Sequence, residues 1–108
     1  MDGSSVPNVV RMHRTIVVNV RNYKGGYVPI FRGTMWGNPY REGIDGTRDE
    51  VIDKYEKYIR SNPVLLAELP KLEGEVLGCY CKPKRCHGDV LIKLLKERRK
   101  GIWFQDMQ

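Results

Sequence analysis

The sequence predicts an α/β domain, a small Rossmann-like three-layer fold with a mainly parallel sheet. Two runs, 15–21 and 75–81, are nearly continuously apolar and rich in strand-forming residues, as strands buried in a sheet are. Each is followed, after a loop, by a segment with apolar residues at helical spacing. Strand and helix alternate along the chain, the pattern that lays helices against a parallel sheet.

Taken in order, residues 1–13 are weakly patterned and read as a loose N-terminal arm, with 14–108 forming the single domain. Residues 15–21 suit a central strand. Residues 27–31 suit a short edge strand, because Pro29 has no backbone donor for a ladder. A loop from Arg32 to Gly46 follows, long for a compact domain and therefore a functional candidate. Thr47 and Glu50 have the spacing of a capping box, and Val51, Ile52, Tyr55, Tyr58 and Ile59 form one apolar helical face behind it. Asn62-Pro63 ends that helix, and a short second one runs over 64–69, stopped before Pro70. Residues 75–81 are the second core strand. Residues 88–100 are an amphipathic helix with Val90, Leu91, Leu94 and Leu95 inward and Gly101 as its cap. Ile102-Trp103-Phe104 suits an edge strand or a packed tail.

Composition narrows the functional classes. With 108 residues, 41% hydrophobic and 30% charged, the chain has room for one core. No apolar run approaches the roughly 18 residues of a membrane span, and Met1-Asp2-Gly3-Ser4-Ser5 lacks the pattern of a secretory signal. A cytoplasmic location is expected, with no membrane partner. The three cysteines fall within eight positions, a poor disulfide framework that points instead to metal, reactivity or burial. Eight basic and two acidic residues lie between Lys82 and Lys100, so this segment accounts for the net charge of +6. Such a face favours anionic partners, a small nucleotide-like anion first and nucleic acid second. An ordinary solvated helix with cations at its C-terminal end gives the same pattern.

The chemistry concentrates in Cys79-Tyr80-Cys81-Lys82-Pro83-Lys84-Arg85-Cys86-His87-Gly88-Asp89, a strand end leading into a helix start. Ligands of parallel sheets bind at that position, and free amides at a helix start suit anions. Three readings follow. Cys79, Cys81, Cys86 and His87 supply a zinc ligand set, although the two halves are closer than in ordinary zinc motifs. Cys86 or Cys81 supplies a nucleophile with His87 as base or acid, and Asp89 is a further acid–base or ribose-binding group unless it only compensates the helix dipole. Simple burial is the third, and it leads for Cys79. Gly88 and Cys81 would border the ligand. In the long loop, Arg32 can clamp a phosphate, Gly33 permits close backbone approach, Asn38 can contact a base or ribose, and Trp36 or Tyr40 can stack. Aromatic lids over the core explain the same loop. Arg48 is a cation in the first helical turn, where the dipole disfavours it, so an acidic neighbour or a phosphate is expected beside it. His13 is expected on the surface.

Val17-Val18-Asn19-Val20-Arg21, Arg32-Gly33, Gly37-Asn38-Pro39-Tyr40, Leu77-Gly78-Cys79-Tyr80-Cys81, Pro83 and Cys86-His87-Gly88-Asp89-Val90-Leu91 together resemble the domain-of-unknown-function family 4326 of bacteria and phages. The resemblance implies a Rossmann-like sheet, a phage or bacterial source and a host cytoplasmic setting, with nucleotide or nucleic-acid metabolism as its context. The expected function is binding, with processing left open, of a nucleotide-derived anion around Cys81 to Asp89. The alternatives are a non-catalytic nucleic-acid- or protein-binding module with a zinc-stabilised turn, and an accessory protein contacting a host protein.

Overall fold

A computed structural model describes residues 14–101; the expected N-terminal arm, His13 and the Ile102-Trp103-Phe104 segment lie outside the described residues. Strands β1 (Ile16–Asn19), β2 (Val28–Pro29) and β3 (Val76–Cys79) form one parallel sheet in the order β1-β3-β2. Helices α1 (Arg48–Arg60), α2 (Pro63–Glu68) and α3 (His87–Lys100) complete the α/β domain, with a 3-10 turn, Leu69–Leu72, before β3. Among the described residues no helix is long and apolar enough to cross a membrane.

The strand expected at the centre is an edge. β1 is only half-buried, whereas Leu77 and Cys79 of β3 are fully enclosed between two neighbours. A continuous apolar run does not distinguish an edge strand from a central one when loops and helices cover the edge. Pro29 does sit at an edge, where its missing donor is harmless. Leu77 and Cys79 share one face by the alternation of a strand, and they meet Ile52, Tyr55 and Leu91 of α1 and α3 in one core. Gly78 faces the other way. A Cβ there would lie 2.3 Å from the Tyr27 ring and 2.7 Å from Val20, so the β1–β2 connection crosses over β3 at that glycine.

The predicted helix boundaries hold where caps specify them. The Thr47 amide donates to Glu50 Oε1 at 2.8 Å, and the Glu50 amide donates to Thr47 Oγ1 at 3.2 Å. Gly101 closes α3 in the left-handed region at φ 77°. Pro63 opens α2 rather than merely ending α1, with the Asn62 side chain capping it. Pro70 likewise lies in the first turn of the 3-10 segment, so the chain continues through it.

Four side chains clamp α1 to α3. Glu56 accepts from Lys93 Nζ and Arg60 Nε, and Arg60 also donates twice to Glu97 at 2.9 Å. Burial alone would raise the Glu56 carboxyl, but the bonds from Lys93 and Arg60 outweigh it and hold the carboxyl below its usual value. A depressed folded-state value contributes stability above the unfolded carboxylate range and loses it as pH falls through the folded value. Glu56→Gln is therefore expected to cost about 1 kcal/mol at neutral pH. Urea midpoints of the two proteins should converge as the pH falls below about 4.

Candidate functional site

The end of β3 carries Cys79 inward and Cys81 toward the mouth of α3, and Cys86 returns to them as the residue that caps that helix. The turn between is fixed from both sides. Asn19 Nδ2 donates to Lys82 O at 2.8 Å, and Arg85 donates to Asp49 and Asp53 of α1 at 2.9 and 3.2 Å. Arg48 adds a bond to Arg85 O at 3.0 Å. As a result the three Sγ atoms lie within 4.8 Å of one another, a cluster able to hold a metal ion. All three cysteines are free thiols, and Cys86 Sγ lies 3.2 Å from Cys79 Sγ.

These thiols are not equivalent. The Cys81 and Cys86 thiols donate toward Cys79 and lower its pKa from the ordinary thiol range. Cys86 is pushed upward by donating to Cys79, despite the Gly88 amide that donates to its sulfur at 3.3 Å. The Cys81 thiol is raised for the same first reason, its bond to Cys79.

His87 is buried, and burial lowers its pKa, so the imidazole is neutral. Its Nε2 donates to Ile30 O at 2.6 Å. That fixes the tautomer and leaves Nδ1 unprotonated, 3.7 Å from Cys86 Sγ. The orienting group for the histidine is thus a backbone carbonyl, invisible to a search for side-chain partners. The ring also packs edge-on against Tyr55, centroids 5.0 Å apart.

Beside the cluster opens a cavity of about 270 Å³, lined by Phe31, Arg32, Asn38, Tyr40, Glu42, Arg48, Tyr80, Cys81 and His87 over a floor of Val51 and Ile52. The structure therefore brings together Arg32, Asn38, Arg48, Cys81 and His87 from the expected set. Arg32 Nη1 donates to Asn38 O at 3.0 Å, and among the described residues no carboxylate pairs with it. Both ends of the Asn38 side chain are engaged: it donates to Val51 O and accepts from the Tyr40 amide, pinning the loop to α1. The neighbour expected beside Arg48 is the acidic one, Glu42, at 3.1 Å.

Other expected residues stand elsewhere. Cys79 and Cys86 have no exposed surface and lie behind Cys81, so of the two candidate nucleophiles the sulfur facing the cavity is Cys81 and not Cys86. Asp89 does not line the cavity. One carboxylate oxygen accepts the Cys86 amide at 3.0 Å, and the other pairs with Lys82 at 2.7 Å, which is helix capping. Gly88 is a packing residue: a Cβ would meet Ile30 at 2.7 Å and Val17 at 2.8 Å. Gly33 supports a turn at φ 99° outside the lining. Trp36 is buried in the core, so Tyr40 is the loop aromatic at the cavity. Sequence reasoning missed Phe31, Glu42 and Tyr80. Arg48 in a first helical turn was the signal for Glu42. Tyr80 carried only a weak one, an aromatic between two cysteines.

No solved structure matches the chain. It is 41% identical over 81 residues to the "Uncharacterized 12.4 kDa protein in nrdA-td intergenic region" of Enterobacteria phage T4, covering 70% of this chain and 74% of that protein. It is 38% identical over 71 residues to "Uncharacterized protein R718" of Acanthamoeba polyphaga mimivirus, covering 58% of this chain and 54% of that protein. The model of the family described as "Domain of unknown function (DUF4326)" matches residues 10–97, which include the whole thiol cluster and the cavity wall, and the chain belongs to that family.

Proposed function

We propose that the domain binds a small nucleotide-derived anion in the cavity, in front of a zinc-class ion held by Cys79, Cys81 and Cys86. One observation carries the reading: Arg32 and Arg48 converge with Tyr40 and Tyr80 on a 270 Å³ cavity whose inner wall is Cys81 and His87. Guanidinium groups match phosphate geometry, and an aromatic face stabilises a stacked base by about 1–3 kcal/mol. Arg32 is the better anion clamp, because Glu42 already neutralises Arg48. The cavity presents the His87 imidazole and the metal-bound Cys81 sulfur to whatever enters, so any turnover of the ligand would begin there.

A nucleotide panel at millimolar concentration should raise the melting temperature for at least one member. Arg32→Ala should weaken that ligand by roughly 10–100-fold, the loss of a charge-assisted contact of about 1.5–3 kcal/mol. A flat panel rejects the reading.

The second reading is a nucleic-acid- or protein-binding module in which zinc only stiffens the turn, and the three gathered sulfurs favour it equally. Its electrostatic case is weaker. Of the basic side chains from Lys82 to Lys100, Lys82, Arg85, Lys93 and Arg99 are paired with carboxylates. Salt-dependent retardation of DNA or RNA, with one zinc per chain by elemental analysis and no nucleotide shift, would select this reading.

A further inference from the structure

We infer that the metal centre is an open one: three cysteine sulfurs bind the ion, and its fourth position faces the cavity, where the bound anion or a water occupies it. The inference rests on the zinc reading above and deepens it, because it joins the ion and the cavity into one site.

Bond lengths of about 2.3 Å at tetrahedral angles separate the sulfurs of a zinc site by roughly 3.8 Å. The sulfurs here lie within 4.8 Å of one another, with one pair at 3.2 Å, so small side-chain shifts admit a single ion. Among the described residues the group contains no fourth ligand. His87 is the nearest candidate, and with its Nε2–H donated to Ile30 O at 2.6 Å only Nδ1 could bind. That Nδ1 lies 3.7 Å from Cys86 Sγ, but His87 is not among the residues whose ligand atoms gather within 4.8 Å of one another. The Asp89 carboxylate is taken by Lys82 and by the Cys86 amide.

Direction follows from burial. Cys79 and Cys86 are sealed in the core, while Cys81 and His87 line the cavity. The side of the sulfur triangle away from the core is therefore the side on which the cavity lies. Structural zinc sites close all four positions with protein ligands; sites that bind or activate a ligand keep three and leave one for water or substrate. Three thiolates on a divalent ion leave a net charge of −1. Arg32, which lines the same cavity and pairs with no carboxylate among the described residues, offsets that charge where an anion must approach.

The test loads the reduced, metal-stripped full chain with cobalt(II) and reads its visible spectrum. One equivalent should give a tetrahedral band with sulfur-to-cobalt charge transfer. Imidazole added to this wild-type complex should shift the band saturably by displacing water. His87→Ala should keep the equivalent and the charge-transfer intensity. A band insensitive to imidazole, with cobalt lost in His87→Ala, would show a closed site with His87 as fourth ligand and overturn the inference. Failure of the wild type to take up cobalt or zinc would overturn it together with the zinc reading. The nucleotide-induced melting shift of the metal-stripped protein separately decides the cavity reading. A shift there alongside an imidazole-insensitive cobalt band would leave that reading standing without the open centre.

Discussion

Tyr55→Ala should remove about 3–5 kcal/mol, the cost of emptying a large aromatic site in a close-packed core. A small domain holds only about 5–15 kcal/mol in total. Tyr55 is fully buried, touches Tyr58 and His87 with its ring, and donates its hydroxyl to Trp36 O at 2.7 Å. That last bond ties the Arg32 to Gly46 loop to α1. Tyr55→Phe separates the two contributions: it keeps the ring and leaves a carbonyl unsatisfied, at about 1–3 kcal/mol. Urea denaturation would give both values. An effect of Tyr55→Phe near zero would mean that the loop is held by packing alone. Since Arg32, Asn38 and Tyr40 reach the cavity from this loop, Tyr55→Phe should also weaken any cavity ligand without touching it.

Gly88→Ala should cost about 1–3 kcal/mol, the range for overpacking a filled core. Alanine is intrinsically better in a helix by about 1 kcal/mol, so the direction depends on which effect wins. The added carbon would stand 2.7 Å from Ile30 Cδ1 and 2.8 Å from Val17 Cγ2. Ile30 has no exposed surface, and Val17 is a stiff β-branched residue on β1, so neither can yield cheaply. The clash therefore wins. Displacing Ile30 would also move the carbonyl that orients His87 on the cavity wall, so the variant should lose cavity-ligand affinity along with stability. Gly26→Ala is the control, because nothing lies within 4 Å of its added carbon. It should leave the urea midpoint within about 0.5 kcal/mol of wild type. Equal midpoints for both alanine variants would rule out the packing role given to Gly88.

Much of this domain was written locally. The Thr47–Glu50 box, the Asn62 cap and the Gly101 cap are bonds among residues a few positions apart, so spacing alone specified where helices begin and end. The thiol cluster was legible for the same reason, since seven positions of chain separate its members and a strand end followed by a helix start can hardly keep them apart. Roles were not legible. Asp89 has the same spelling as a catalytic acid or a helix cap, and only the positions of Lys82 and the Cys86 amide decided between them.

The sequence by itself determined the α/β class, the ends of the helices and the neighbourhood of the chemistry, because those depend on periodicity and on contacts within a few residues. The tertiary structure alone decided that β3 is the central strand and that Cys81, not Cys86, meets the cavity. It alone supplied Ile30 as the histidine's partner and set Glu42 against Arg48. The physical reason is range: strand order, burial and the Ile30 carbonyl's bond to His87 join segments far apart in the chain. No local pattern records which distant group will fill a neighbour's last hydrogen bond.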